Sequence, residues 1–451
     1  MTSRLRSAAK TAAVNVSVLA ALLVLCELLL GNWLQFPDKL NCLDEWLHHA
    51  YCPGVFSKRR LTKEDGGAVV ENYLDQSRVR VATEKLSKQS TDVSRYQVIN
   101  IGDSFIEADE IPYDQTVGRV MAAITGKRVL DFGYGSWAPI IYRNWIGQQK
   151  LGEGVRVNIF LMVNDVTPEG GGTALWYRKQ AKSTEGGLFK FELPVEDKSW
   201  KGFLSRNSYF YDKIPFDKIP PIPNISVSRA IFLVKDFIKF TLLRNTRPEE
   251  KQSPAPTPPA VAPPVLTMDE VREKNPWLDG DFSQPQTDCT LLDSYRRQFP
   301  PKWSIAAYLT HDYLSYAFRP ACWDADQVAE VATTVEDIKW IDDYVRKVNG
   351  SVRLYVVPAG WSFLGENVPG KATVVYRMRE RTTITSLPLS DELQARLPGL
   401  PVVSLERVIK KLKAEHPGQY YFPRDGHWTP FAHKQLGEWL AKDLETGQQR
   451  N

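Results

Sequence analysis

Three stretches of this 451-residue chain carry the residue types of nucleophilic catalysis. In the first, Gly102-Asp103-Ser104 follows the near-continuous apolar run Val98-Ile99-Asn100-Ile101. Such a run reads as a buried parallel strand, and open α/β sheets hold their ligands at the carboxyl ends of such strands. Gly102 lets the chain bend there, and the Asp103 side chain can accept from loop N–H groups. In the second, Phe422-Pro423-Arg424-Asp425-Gly426-His427-Trp428-Thr429 sets Asp425 two residues before His427. In an extended segment residues so spaced project to one side. The carboxylate can then take the proton on Nδ1 and leave Nε2 to receive one. A serine hydroxyl is a poor nucleophile until an oriented base removes its proton, so Ser104, His427 and Asp425 read as nucleophile, base and orienting acid. The third group comprises the backbone around Gly135-Ser136, the Asn164 amide and the Ser104 N–H. These are candidate donors to the oxyanion of acyl transfer.

The elements that must position these residues are legible in order. Strands are expected over 96–101, 128–132, 155–163, 352–357 and 402–404. Asp114 is expected to cap a helix that Gly126 stops, and Pro139 suits the first turn of the next. Thr334 with Asp337 reads as a capping box for a helix ending at Gly350, and Thr429-Pro430 as the start of the last helix. Alternating strands and helices at this spacing argue for a parallel sheet with right-handed crossovers.

Composition narrows the setting. Hydrophobic residues make up 43% and charged residues 24%, and the net charge is +4 with no long basic run, which disfavours nucleic acid as a partner. The bases available at neutral pH are six histidines: His48, His49, His311, His416, His427 and His433. His433 reads as structural, and a metal site of Asp425, His427 and His433 has no matching ligand cluster elsewhere, so neither metal nor cofactor is expected. A basic tail over 1–10 precedes an apolar run over 11–36, long enough to span a bilayer and lacking a small-x-small cleavage site. The expected topology is one retained helix in the cell inner membrane, with all that follows on the periplasmic, extracytoplasmic side. Cys42, Cys52, Cys289 and Cys322 form an even set there; pairing by proximity gives Cys42–Cys52 and Cys289–Cys322 among three possible connectivities.

The expected organisation is then a neck over 37–93 with no evident chemistry, a sheet domain over 94–167 and 331–445, and an insertion over 168–330. The Pro-rich segment Arg247–Pro264 within the insertion reads as an extended linker, and the flanking aromatics as core or cleft lining.

Gly102-Asp103-Ser104, Gly133-Tyr134-Gly135-Ser136, Asn164-Asp165 and Asp425-Gly426-His427-Trp428 together resemble the four blocks of the SGNH (GDSL) hydrolase superfamily, in the family's order. The resemblance covers roughly 94–167 and 330–445. It implies a flavodoxin-like α/β/α sandwich and an esterase or O-acyltransferase. Ser104, His427 and Asp425 would be its triad, with Gly135 and Asn164 assisting the oxyanion. Met162-Val163 stands where the family has a glycine before Asn-Asp. The Asp-x-His spacing resembles the alginate O-acetyltransferase-like branch, in which the pair precedes the serine; here it follows. The expected substrate is an acyl ester, with an envelope or secreted glycan as acyl acceptor and a membrane acyl-donor protein as a possible partner. The competing expectations are a non-catalytic glycan-binding or scaffold domain and a lipid-directed esterase.

Overall fold

The computed structural model describes residues 41–63, 65–166, 174–192, 284–298, 316–358, 385–422 and 425–448. The expected tail over 1–10, the membrane helix over 11–36 and the Pro-rich Arg247–Pro264 lie outside the described residues. Among the described residues no helix is long and apolar enough to cross a membrane.

The centre is a five-stranded, wholly parallel sheet. Its strands are β6 (Val98–Gly102), β7 (Val129–Gly133), β8 (Arg156–Met162), β11 (Ser351–Val357) and β12 (Val402–Ser404), in the order β12-β11-β8-β6-β7. Numbered along the chain this is the 2-1-3-4-5 doubly wound order, whose direction switches between β6 and β8. All five β6 residues are buried, as are six of the seven in β8. A strand covered on both faces needs a continuous apolar run rather than an alternating one. One polar ladder crosses this core: Asn158 Nδ2 donates to Asn100 Oδ1 at 2.8 Å, and Asn100 Nδ2 donates to Asp131 Oδ1 at 2.7 Å. These buried amides are satisfied in one register only, so they pin β8, β6 and β7 together.

Helices flank the sheet. α2 (Val117–Thr125) packs against α9 (Pro430–Gln448), and α3 (Pro139–Gln148) against α6 (Ala325–Arg346). α7 (Leu387–Arg396) lies beside β12, and α8 (Leu405–Glu415) beside β11. Two helix starts differ from expectation. The N-cap of α2 is Thr116, because Tyr113–Gln115 forms a separate 3-10 turn. α6 begins at Ala325, well before Thr334, under a reciprocal capping box of Asp324 and Gln327. Thr334 is instead buried within the helix, so the boundary at 330 falls inside an element of the sheet domain. Gly126 and Thr429 act as expected: Gly126 closes α2 at φ 65°, and Thr429 Oγ1 accepts the Ala432 N–H at 3.2 Å.

The stretch expected as a partly helical neck is largely antiparallel strand. β1 (Asn41–Asp44) pairs β2 (His48–Tyr51), and β3 (Phe56–Arg60), β4 (Val69–Leu74) and β5 (Arg80–Val81) form a three-stranded sheet. Both disulfides pair by proximity. Cys42–Cys52 closes the β1–β2 hairpin, and Cys289–Cys322 ties α5 (Cys289–Gln298) to the turn before α6. The described flanks of the insertion pack on the sheet domain. Tyr177 of α4 (Ala174–Lys179) and Phe189 and Phe191 of β10 (Phe189–Phe191), which pairs β9 (Ala181–Ser183), belong to the main core, as does Tyr316. The Tyr316 hydroxyl donates to the Val166 carbonyl beyond β8.

Candidate active site

Ser104 sits where the sheet order switches. β6 ends at Gly102, and Ser104 opens α1 (Ser104–Glu107), a single turn closed by Ala108 in the left-handed region at φ 50°. The Asp103 side chain caps this turn, accepting the Phe105 N–H at 3.0 Å, as its sequence position suggests. Burial raises the Asp103 carboxyl to about 6. No side chain fits at Gly133, the end of the neighbouring strand: a Cβ there would stand 2.5 Å from the Asp103 carbonyl oxygen and 2.7 Å from the Glu107 nitrogen. The missing Cβ lets β7 run against the serine turn.

His427 reaches Ser104 from the loop before α9. Its Nε2 lies 2.7 Å from Ser104 Oγ, and its Nδ1 makes a short hydrogen bond to Asp425 Oδ1. The chain is not extended at this point. Gly426 takes φ 86°, its N–H donates to the Phe422 carbonyl at 2.9 Å, and the Phe422 N–H donates to the His427 carbonyl at 2.8 Å. This tight loop turns Asp425 onto the imidazole. Phe105, one residue after the serine, packs its ring against His427 and against the buried Trp428, each at 5.0 Å between centroids. One aromatic side chain thus holds both ends of the Ser–His pair.

Two residues outside the expected set complete the arrangement. Glu110 Oε1 lies 3.0 Å from His427 Nδ1, and its side chain is 1% exposed. Arg59, on β3 of the supposedly inert neck, places Nη2 2.6 Å from Asp425 Oδ2 and Nη1 3.0 Å from Glu110 Oε1, and it also contacts Asp109. The absence of chemistry expected for 37–93 is therefore corrected by Arg59. Burial opposes charge on His427, but Glu110 and then Asp425 outweigh it and raise the imidazole well above its ordinary value. Burial likewise opposes charge on Glu110, but the His427 imidazolium and then Arg59 hold its carboxyl well below the usual range. Glu110, Asp425 and His427 bring three potential ligand atoms within 4.8 Å of one another. Arg59 already supplies the positive charge those carboxylates require.

Gly135 is beside Ser104: a Cβ on it would lie 3.8 Å from Ser104 Cβ. Its N–H, expected to face an oxyanion, is donated to Glu107 Oε2 at 2.7 Å. Burial, with Asp109 and Glu110 nearby, raises Glu107 to about 8. The next residue, Ser136, holds φ 63°, a conformation that costs a non-glycine residue about 1 kcal/mol or more. Asn164 stands in the 3-10 turn Val163–Val166 that ends β8, on the same sheet edge. Its neighbour Asp165 organises that turn, accepting the Met162 N–H at 3.1 Å and the Tyr142 O–H at 3.0 Å. His433 is buried, and its Nδ1 accepts the Val117 N–H at 3.1 Å. Burial pushes it down to about 3, so it is a neutral structural acceptor, and its ring packs edge-on against Trp428 at 5.6 Å between centroids.

No protein-family model and no curated protein matches this sequence.

Proposed function

We propose that this chain is a serine esterase or O-acyltransferase of SGNH type, with Ser104 as nucleophile, His427 as base and Asp425 as its orienting acid. The observation that carries the reading is the unbroken contact chain from Ser104 Oγ through both imidazole nitrogens to Asp425. A serine needs this arrangement to attack an acyl carbon, and few other functions need it. His427 takes the Ser104 proton as Oγ bonds to the acyl carbon, then returns it to the departing alkoxide. The acyl group then passes from Ser104 to water or to a sugar hydroxyl whose proton His427 accepts, and His427 returns that proton to Ser104 Oγ as the acyl–Oγ bond breaks. Ser104 N–H and Asn164 are the oxyanion donors in this reading, and Gly135 leaves room beside Ser104. The apolar run over 11–36 supports an inner-membrane anchor with the catalytic domain in the periplasm, and the two disulfides agree with an oxidising compartment. An envelope or secreted polysaccharide is the substrate that follows from that location, with acetyl the simplest acyl group.

Fluorophosphonate labelling tests the nucleophile, and an acyl ester supplied with and without glycan oligosaccharides tests the acceptor. Ser104→Ala and His427→Ala are each expected to lower turnover by about 10⁴–10⁶-fold with the fold intact, and the double variant to be scarcely worse. Labelling that survives Ser104→Ala refutes the nucleophile. Acylated sugar as product selects the transferase, and free acid alone across a broad acceptor panel selects the hydrolase.

A further inference from the structure

The Cys42–Cys52 hairpin grips the loop after β7 through several contacts. Tyr51 and Glu107 line one cavity behind this loop, and Glu107 Oε2 accepts the Gly135 N–H at 2.7 Å. His49 Nε2 lies 3.3 Å from the Gly135 carbonyl oxygen and 3.2 Å from Ser136 Oγ. Trp137 Nε1–H donates to the His49 carbonyl at 2.8 Å, and Asn144 Nδ2 donates to the Trp46 carbonyl at 2.6 Å. The proton positions follow from the partners. Ser136 Oγ already donates to the Gly135 carbonyl at 2.6 Å, so His49 Nε2–H is the donor toward that carbonyl. His49 Nδ1 is then an acceptor, and His48 Nδ1–H, 2.9 Å away, donates to it. Burial lowers His49, which keeps the ring neutral for this role.

We propose that Glu107 and His49 are positioning residues that clamp Gly135 by both its N–H and its carbonyl, making the disulfide-closed hairpin a working part of the Ser104 site. This rests on the serine-nucleophile reading above. Gly135 lies directly beside Ser104, and the left-handed Ser136 would relax if released. A loop shift of about an ångström at such a place costs on the order of 10²-fold in rate. The clamp also accounts for a buried carboxyl one turn after the nucleophile that the proton transfers do not use.

The test compares His49→Phe, Glu107→Leu and Glu107→Gln in the full chain, measuring kcat and KM on an aryl acetate and hydrogen exchange over 133–137. Glu107→Leu is expected to lower kcat by about 10²-fold with KM nearly unchanged and to accelerate exchange across the loop. Glu107→Gln still offers an acceptor to the Gly135 N–H and should recover most of both. His49→Phe, which keeps a ring and removes the donor to the Gly135 carbonyl, should move both readouts in the same direction by a smaller factor, and it carries the test if Glu107→Leu does not fold. Unchanged loop exchange in folded Glu107→Leu or His49→Phe overturns the clamp, as does a Gln variant no better than Leu. Ser104→Ala separates the two readings. If it retains hydrolysis the nucleophile assignment fails, while the exchange data still decide whether the clamp exists.

Discussion

Glu110→Gln probes the electrostatics of His427, the proposed base, most directly. Glu110 Oε1 is 3.0 Å from His427 Nδ1 and 3.0 Å from Arg59 Nη1. At an effective dielectric of about 20, unit charges 3 Å apart attract by about 5–6 kcal/mol. Desolvation of the buried carboxylate and the opposing Arg59 charge offset most of this. The net charge-assisted contribution to an imidazolium is then about 1–3 kcal/mol. Glutamine keeps the shape and an acceptor and removes the charge. His427 must be neutral to take the Ser104 proton and is held well above its ordinary pKa, against burial, by Glu110 and Asp425. The wild-type kcat/KM should therefore rise with pH only on the alkaline side of about 6.5, the unperturbed imidazole value. Removing one raising charge moves that limb toward lower pH. The imidazolium formed in the transition state also loses a partner, so the alkaline plateau should fall by about 10–100-fold. Stability carries the matching signs. The His427 contribution is full below its unfolded pKa and is lost as pH rises through the raised one. The Glu110 contribution is present above its unfolded pKa and is lost as pH falls through the depressed one. The assay is kcat/KM on an aryl acetate from pH 5 to about pH 10, beside thermal unfolding at the same pH values. A wild-type limb at about 6.5, or a Glu110→Gln limb that stays put or moves alkaline, refutes this account of the base.

Three further outcomes follow from the same geometry. Arg59→Met leaves Asp109, Glu110 and Asp425 without their shared cation; with Arg59 35% exposed, solvent tempers the loss to about 1–3 kcal/mol, read by denaturant unfolding. Gly133→Ala drives a methyl onto the Asp103 carbonyl and the Glu107 nitrogen, and should cost about 1–3 kcal/mol and disturb fluorophosphonate labelling of Ser104 in the surviving fold. His433→Leu strips the Val117 N–H of its acceptor and should cost about 1–3 kcal/mol of stability while the folded fraction keeps its kcat; a lost kcat would place His433 in the chemistry.

Local signals in the sequence determined much of this protein. The apolar run of Val98–Ile101 is a strand because only the backbone ladder can satisfy a segment buried on both faces. Gly126, Pro139 and Thr429 mark helix ends because their backbone or side-chain chemistry acts within one turn. Ser104, Asp425 and His427 could be singled out because base-assisted serine chemistry requires those side chains and few histidines were available. The start of α6 departs from its local signal because Thr334-x-x-Asp337 imitates a cap, while Asp324-x-x-Gln327 is the pair whose N–H groups lack helical partners. Tertiary structure alone decided the rest. Glu110 and Arg59 carry no motif and lie far along the chain from His427 and Asp425. Only the return of α1 through Ala108 and the docking of β3 bring two carboxylates and a guanidinium around one imidazole. The Gly135 N–H is likewise taken up by Glu107 only because Gly133 lets two loops meet at the sheet edge, a contact between chain segments that spacing within either one cannot encode.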